Sequence, residues 1–484
     1  MASLKLSLLR KNFIPLVPIL LKDVGQISLK VEKSEALQEG IAELFPETAD
    51  HSLLSFVHTK NTGKRTAIKV GVLFSGGQAP GGHDVIAGIY DALEAIVSQV
   101  TLLGFIGGVD ALINNKTARL DKNIIADYRG QGGFDLLGSG RGKLETSEDL
   151  AAAFATIEAH KLDGVIVIGG DDSNTNAAIL AEYMLKHGSN VSIIGVPKTI
   201  DCDLKSPHIE LSFGFDTATK VYSELIGNIA RDAKSSGKYY HFIKLMGRAA
   251  SHITLECAER CHPNLAFISE EISTKKQGLK YIKKTLVDLI KARQAMGKNY
   301  GVILLPEGLI EYLPELSETY LSKKDPHGNL HVSGIATEEL LIDLIREDVD
   351  VNTVTHFLGY EGRSALPTNF DMQYCYALGR TAAILVLHKK TGYICGMTKL
   401  NSRPYEWEPW GVPIVSLLGL EKRRGSIKPV IKKSLVDLKG PVFKRFAASR
   451  DGWVLADDYQ YPGPIQFFGP AELTESIPLC LQQE

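Results

Sequence analysis

Two short stretches concentrate the residues able to do chemistry. Val165, Ile166, Val167 and Ile168 stop abruptly at Gly169-Gly170-Asp171-Asp172, and the apolar run 191–196 stops at Pro197, with Lys198, Thr199, Asp201 and Asp203 behind it. Each run predicts a buried strand. In a parallel sheet both would end at the edge where open α/β proteins bind ligands. Ser173, Asn174 and Thr175 are expected to cap a helix beginning near Asn176. Asp171, Asp201 and Asp203 offer hard oxygen ligands of the kind Mg²⁺ takes, one or two carboxylates completed by phosphate and water. One of them could instead take a proton from an alcohol, and phosphoryl transfer needs both roles.

Other strand ends add to this. The run 67–74 leads into Ser75-Gly76-Gly77-Gln78-Ala79-Pro80-Gly81-Gly82 and then a helix, expected at 84–99. Amides at a glycine turn and a helix N-terminus favour an anion. A second glycine-rich loop, 130–142, delivers Arg141 and Lys143, and its backbone could approach a ligand closely. Arg248 and Arg363 each follow a strand-like run and suit bidentate capture of a phosphate. The glycine turn lacks the Gly-Lys-Ser/Thr ending of a Walker A loop and does not read GxGxxG. No serine, histidine and acid arrangement stands out, so a covalent nucleophile is not required.

Positioning these groups takes more than one core in a chain of 484 residues. Strand-like runs at 67–74, 101–106, 165–168, 191–196, 239–245, 265–269, 300–305 and 353–358 alternate with helical ones. That alternation predicts an α/β fold with two doubly wound Rossmann-like domains, parallel sheets and an active site in the cleft between them. The expected divisions are an N-terminal extension 1–66 with a helix over 34–44, a donor domain 67–202 to which the chain returns over 389–420, an acceptor domain 203–388 carrying a helical insertion 309–350 and a helix over 371–388, and a C-terminal extension 421–484.

A formal net charge of −2 gives no global attraction to nucleic acid or to an anionic membrane. The basic segment 422–445, interleaved with Val430, Ile431, Leu435 and Leu438, reads as an amphipathic surface. Six cysteines (Cys202, Cys257, Cys261, Cys375, Cys395, Cys480) form no CxxC pair, which fits a reducing cytoplasm. Cys257, Cys261 and His262 read as core packing. Lys5, Arg10 and Lys11 precede the apolar stretch 13–21 in the manner of a targeting signal. Pro15 and Pro18 break any helix there and the stretch is too short to span a bilayer, so it reads as a docking arm.

In chain order the motifs are SGGQAPGG (75–82), GGDDS (169–173), PKTIDCD (197–203), MGR (246–248), PEG (306–308) and GYEGR (359–363). This series resembles that of the 6-phosphofructokinases, in particular the long pyrophosphate-dependent class that includes the plant catalytic subunit. The likeness covers about 67–400, and the N-terminal arm and the segment 428–438 resemble that class's additions. It implies reversible, Mg²⁺-dependent phosphoryl transfer from pyrophosphate to the 1-hydroxyl of fructose 6-phosphate, serving glycolysis and gluconeogenesis in the cytoplasm, by a homo-oligomer of two subunits or more. Sedoheptulose 7-phosphate is a further acceptor it allows.

The resemblance also implies roles. Asp201 would be the base, with Thr199 and Asp203 beside it, and Asp171 would hold Mg²⁺ with the donor. Met246, Gly247, Arg248, Glu307, Tyr360 and Arg363 would bind fructose 6-phosphate, the arginines on its phosphate and Glu307 on its hydroxyls. Gly77 and Arg141 would lie along the donor phosphates. ATP-using relatives carry glycine at the position of Asp172, so the extra bulk and negative charge here penalise a nucleotide, while Lys198 replaces a small residue and can pair with the phosphate that remains. Tyr239 and Val354 stand where short ATP enzymes place arginines from a neighbouring subunit, so Lys244 or a residue of the insertion is expected to grip the sugar phosphate. Tyr360 stands where the ATP enzymes carry histidine. Two readings compete: an ATP-dependent phosphofructokinase, and a non-catalytic regulatory subunit of the same fold. Asp172 and Lys198 oppose the first. Intact Asp171, Asp201, Asp203, Arg248 and Arg363 oppose the second.

Overall fold

The computed structural model describes residues 5–34, 36–60, 63, 65–313, 315, 334–423 and 426–482. Two compact units share the chain: Met1–Thr199, Leu204–Gly214 and Arg363–Lys433 form the first, and Ile200–Asp203, Phe215–Gly362 and Ser434–Glu484 the second. In chain order the strands are β1 (Ile27–Glu32), β2 (Leu53–His58), β3 (Arg65–Ser75), β4 (Val97–Phe105), β5 (Thr117–Leu120), β6 (Gly164–Gly169), β7 (Ser192–Pro197), β8 (Tyr240–Leu245), β9 (Leu265–Ala266), β10 (Gly301–Pro306), β11 (Thr353–Leu358), β12 (Tyr393–Thr398), β13 (Glu408–Pro413), β14 (Leu418–Arg423) and β15 (Ser426–Ile431).

The first unit is built on a nine-stranded sheet of order β1-β2-β13-β12-β7-β6-β3-β4-β5. Its centre, β12-β7-β6-β3-β4, is parallel as predicted. Antiparallel strands close both sides. Every residue of β6 and β7 is buried, which is why these strands read as unbroken apolar runs. The N-terminal region is therefore no separate extension, because β1 and β2 complete this sheet through β13. Of the helix expected over 34–44 only Ile41–Leu44 forms, entered from Gly40 at φ +82°; Glu35 lies outside the described residues.

Helix Asn369–Leu387, expected in the acceptor domain, packs in the first unit against helix Gly82–Ile96. Glycines cause this. A Cβ on Gly88 would stand 2.2 Å from the Tyr376 carbonyl oxygen, and one on Gly379 2.1 Å from that of Val85, so the two backbones touch.

The second unit carries a four-stranded sheet, β11-β8-β10-β9, parallel throughout. Within the expected insertion the structure places a 3₁₀ turn at Glu307–Tyr312 and a helix at Thr337–Arg346; residues 314 and 316–333 lie outside the described residues. The C-terminal region divides, with the β14–β15 hairpin in the first unit and helix Pro441–Trp453 in the second. Cys257 and Cys261 are buried, with sulfurs 3.7 and 3.3 Å from the Thr219 and Ser223 carbonyls, as core packing requires, whereas His262 is partly exposed, stacked on Trp453 at 4.3 Å and 3.0 Å from Asp458. No helix among the described residues is long and apolar enough to cross a membrane.

Candidate active site

In the first unit the expected donor residues gather at the C-terminal ends of β3, β6 and β7. Gly76 takes φ +85°, its N–H donates to the Gly140 carbonyl at 2.8 Å, and its own carbonyl accepts from Ser139 Oγ at 2.6 Å. That amide is thus committed to the second glycine loop rather than to an anion. The loop's glycines likewise serve backbone packing: a Cβ on Gly140 would stand 2.0 Å from the Gly107 carbonyl oxygen, and one on Gly132 2.2 Å from that of Ser364.

Cations close on the turn instead. Lys198 is only 5% exposed, and its ammonium lies 3.2 Å from where a Cβ on Gly76 would be. Arg363 Nη1 lies 3.6 Å from the corresponding point on Gly77. At Gly76 the positive φ itself favours glycine.

The acidic motif differs from its expected form in one respect: the helix begins at Asp171 and runs to Lys186, not near Asn176. Extended Gly170 serves as its N-cap without a side-chain bond. Asp171 and Asp172 therefore occupy the first turn, where the helix dipole favours negative charge. Asn174, expected as a cap, turns back to the Gly169 and Gly170 carbonyls at 2.6 and 2.9 Å, Thr175 Oγ1 donates to the Asp171 carbonyl, and Ser173 Oγ donates to Ser75 Oγ at 2.8 Å. These bonds fix β6 against the turn after β3.

In the second unit the residues expected to bind the acceptor gather around β8 and β10. Buried Cys202 takes φ +58°, turning the chain between Asp201 and Asp203. Asp201 Oδ2 accepts the Arg248 N–H at 3.4 Å, and Glu307 Oε2 accepts the Gly247 N–H at 3.0 Å. Burial first, then the neighbouring Asp201 charge, push the Glu307 carboxyl up to about 7, against the pull of Gly247, Lys244 and Arg248. Gly247 sits at φ +132°, and a Cβ on Gly308 would fall 1.8 Å from the Arg248 carbonyl oxygen. The MGR and PEG motifs are therefore one interlocked structure. The Met246 N–H donates to the Leu358 carbonyl, and Gly362 packs on the Tyr222 ring, whose hydroxyl donates to the Gly359 carbonyl at 2.5 Å. Tyr360 stands 56% exposed.

A family model described as phosphofructokinase matches residues 69–386. The chain belongs to the phosphofructokinase family. Among its relatives in that family, a pyrophosphate–fructose 6-phosphate 1-phosphotransferase of Porphyromonas gingivalis is 42% identical over 100% of this chain and 99% of its own. The beta subunit so named in Solanum tuberosum is 43% identical, covering 89% of this chain and 85% of that one. A solved pyrophosphate-dependent phosphofructokinase of Nitrosospira multiformis shares the fold at 16% identity, with a TM-score of 0.61 over 81% of this chain and 93% of that one.

Against the family pattern several groups fall differently from expectation. Lys244 is not free to grip a sugar phosphate: it is 2% exposed, pairs with Glu338 at 3.0 Å, donates to the Ile335 carbonyl at 2.8 Å and lies over the Phe357 ring. Arg363, expected within the acceptor domain, belongs to the first unit, with Nη1 beside Gly77. Arg141 is exposed at the end of its loop. Lys433 was missed altogether: its Nζ lies 3.9 Å from Asp171 Oδ2, carried there by β15, whose Ile431 N–H donates to Thr175 Oγ1. Its sequence signals were membership in a basic amphipathic segment and in the stretch 428–438 that resembles the class's additions.

Proposed function

We propose that this chain catalyses reversible transfer of a phosphoryl group from pyrophosphate to the 1-hydroxyl of fructose 6-phosphate, yielding fructose 1,6-bisphosphate and phosphate. The supporting observation is the donor end of the first unit, where buried Lys198 stands over the Gly76 turn while Asp172 occupies the first turn of the adjoining helix. Pyrophosphate needs no more room than that. An adenosine-bearing donor would bring its α-phosphate against a fixed carboxylate.

Among the described residues no three histidine, cysteine or acidic groups gather as a cage. Mg²⁺ needs none, since it takes one or two carboxylates and fills its shell with water and substrate phosphate. The half-buried Asp171 carboxylate fits that demand, and a Mg²⁺ held there would neutralise charge on the transferred group. Lys198 and Lys433 bind the donor phosphates, with Gly77 and Arg141 along them. Asp201 takes the proton of the sugar 1-hydroxyl. The Arg248 N–H donated to its Oδ2 holds that carboxylate in place. Glu307 holds sugar hydroxyls, the Arg248 and Arg363 side chains bind the sugar phosphate, and Thr199, Asp203, Met246, Gly247 and Tyr360 shape the remainder. The two phosphoanhydride and ester free energies lie close together, which makes the reaction usable in either direction, and a cytoplasmic homo-oligomer completes this reading.

The test is a coupled assay offering pyrophosphate or ATP with Mg²⁺ and fructose 6-phosphate, and phosphate with fructose 1,6-bisphosphate in reverse. Pyrophosphate turnover in both directions is expected. Turnover with ATP alone would overturn the donor assignment, and none with either donor would favour a regulatory subunit.

A further inference from the structure

A buried imidazole holds the second glycine loop by its backbone. His83, the second residue of helix Gly82–Ile96, is 1% exposed. Its ring meets Phe74 steeply at 5.8 Å and lies tilted on Tyr128 at 5.0 Å. Both of its nitrogens face the loop: Nδ1 lies 3.2 Å from the Gln131 carbonyl oxygen, and the Leu136 nitrogen lies 3.4 Å from Nε2. A carbonyl can only accept and a backbone N–H can only donate. The loop therefore dictates where the proton is. Nδ1 carries it, donating to Gln131, and Nε2 is bare, accepting from Leu136.

The neighbours of His83 hold the same loop. Asp84 Oδ1 accepts the Gly130 N–H at 2.9 Å. Phe134 stacks on Phe74 at 4.0 Å, and a Cβ on Gly82 would stand 2.2 Å from its ring. From there the backbone turns tightly, the Gly138 N–H donating to the Phe134 carbonyl at 2.7 Å and the Gly107 N–H to that of Leu137 at 2.9 Å. The next two residues, Ser139 and Gly140, are the ones that bond the carbonyl and the N–H of Gly76. A path of bonded steps thus runs from the His83 ring to the turn beside which the Lys198 ammonium lies.

We propose that His83 is a positioning residue for the phosphoryl donor: as the neutral imidazole protonated on Nδ1 it pins loop 130–140 and, through that loop, the Gly76 turn. The proposal rests on the reading of that turn as the donor end. A second proton, on Nε2, would set one N–H against another at Leu136, so an imidazolium cannot close the loop. Burial lowers the ring's proton affinity from its ordinary 6.5, against the pull of the Gln131 carbonyl and of Asp135, a largely exposed carboxylate 3.5 Å from Nε2. An opened loop therefore takes the proton before the closed one does. Closure is strongest above 6.5 and weakens as pH falls below it. The other titratable groups around the ring and its helix are Tyr128, Asp84, and the Arg10, Arg129 and Asp371 side chains that face Asp84. Burial pushes the Asp84 carboxyl up to about 7. Its titration acts in the opposite sense, because a raised carboxyl favours the closed form as pH falls.

The experiment compares wild type with His83→Asn, whose amide can still donate to the Gln131 carbonyl, and His83→Gln, whose side-chain oxygen can still accept the Leu136 N–H. Neither side chain titrates, and both variants keep Asp84. The readouts are kcat, the KM for pyrophosphate and for fructose 6-phosphate, and the protection of amides 130–140 against hydrogen exchange, corrected for intrinsic rates, between pH 5.5 and pH 8. At pH 8 each variant should show a pyrophosphate KM raised about five- to tenfold, a fructose 6-phosphate KM within about twofold of wild type, and weaker loop protection. Below 6.5, protection in wild type should fall relative to the variants by up to about tenfold per pH unit, closing the gap between them. If one variant does not fold, the other decides. Unchanged pyrophosphate KM in a folded variant overturns the proposal, as does equal damage to both KM values. Parallel protection profiles in wild type and variant also overturn it. Should wild type use only ATP, the pyrophosphate reading falls, while the same comparison on the ATP KM still decides the role of His83.

Discussion

Glu307 accepts the Gly247 N–H at 3.0 Å with the Asp201 carboxylate as its charged neighbour, and burial together with that charge lifts its proton affinity to about 7. A raised carboxyl pKa means the folded state holds its proton where the unfolded chain has released it. Its contribution to stability is therefore full below about 4.5 and is lost as pH rises toward 7. Glu307→Gln keeps the acceptor for Gly247 and removes the titration. Relative to wild type its stability should improve between pH 5 and pH 8, by at most about 3 kcal/mol. Urea unfolding at the two pH values measures this; parallel profiles for the two proteins would refute it.

Asp172→Gly removes a carboxylate from the first turn of the helix at Asp171. We expect a pyrophosphate KM about tenfold higher and measurable ATP turnover, enlarged by a second change at Lys198. The helix itself should lose only about 0.3–1 kcal/mol. Donor kinetics read the effect, and an unaltered preference sinks this account of selectivity.

Asp201→Asn leaves an oxygen for the Arg248 N–H and so keeps the local fold. Loss of the base should lower kcat by roughly 10²–10⁴-fold with both KM values within a few fold. Activity near wild type would assign proton removal elsewhere.

Gly308→Ala asks for a methyl 1.8 Å from the Arg248 carbonyl oxygen, a distance no contact sustains. Either the PEG or the MGR segment must move. The prediction is a destabilisation of about 1–3 kcal/mol, accompanied by a fructose 6-phosphate KM raised at least several fold while that for pyrophosphate is preserved. Equal damage to both constants would separate the glycine from the sugar side.

Strand ends were readable from sequence because β6, β7, β8 and β10 are buried on both faces and so stand out as apolar runs ending in polar motifs. The positions of Asp201 and Arg248 followed from that, while Glu307 came with the family resemblance. Glycines were harder. Each announces space or an unusual φ but not what fills it, so the loop through Gly132 and Gly140 read as a ligand cradle when its vacancies hold other backbone. Long-range partners were invisible for a similar reason. Nothing near Lys244 foretells Glu338, nothing near Arg10 foretells Asn369, and nothing near Asp171 foretells Lys433. β1 and β2 went unnoticed because the strand that recruits them, β13, lies far along the chain.

That last arrangement sets a condition on how the protein is made. β7 ends at Pro197, and the strand that covers its outer edge, β12, begins only at Tyr393. At synthesis rates of about 5–20 residues per second, that apolar edge waits on the order of 10–40 s on the ribosome before its partner emerges. An uncovered strand of this kind is a template for any passing chain. Yield in the cell should therefore depend on chaperones that occupy nascent chains, and slowing translation between the two strands should lower the soluble fraction without altering the enzyme that survives.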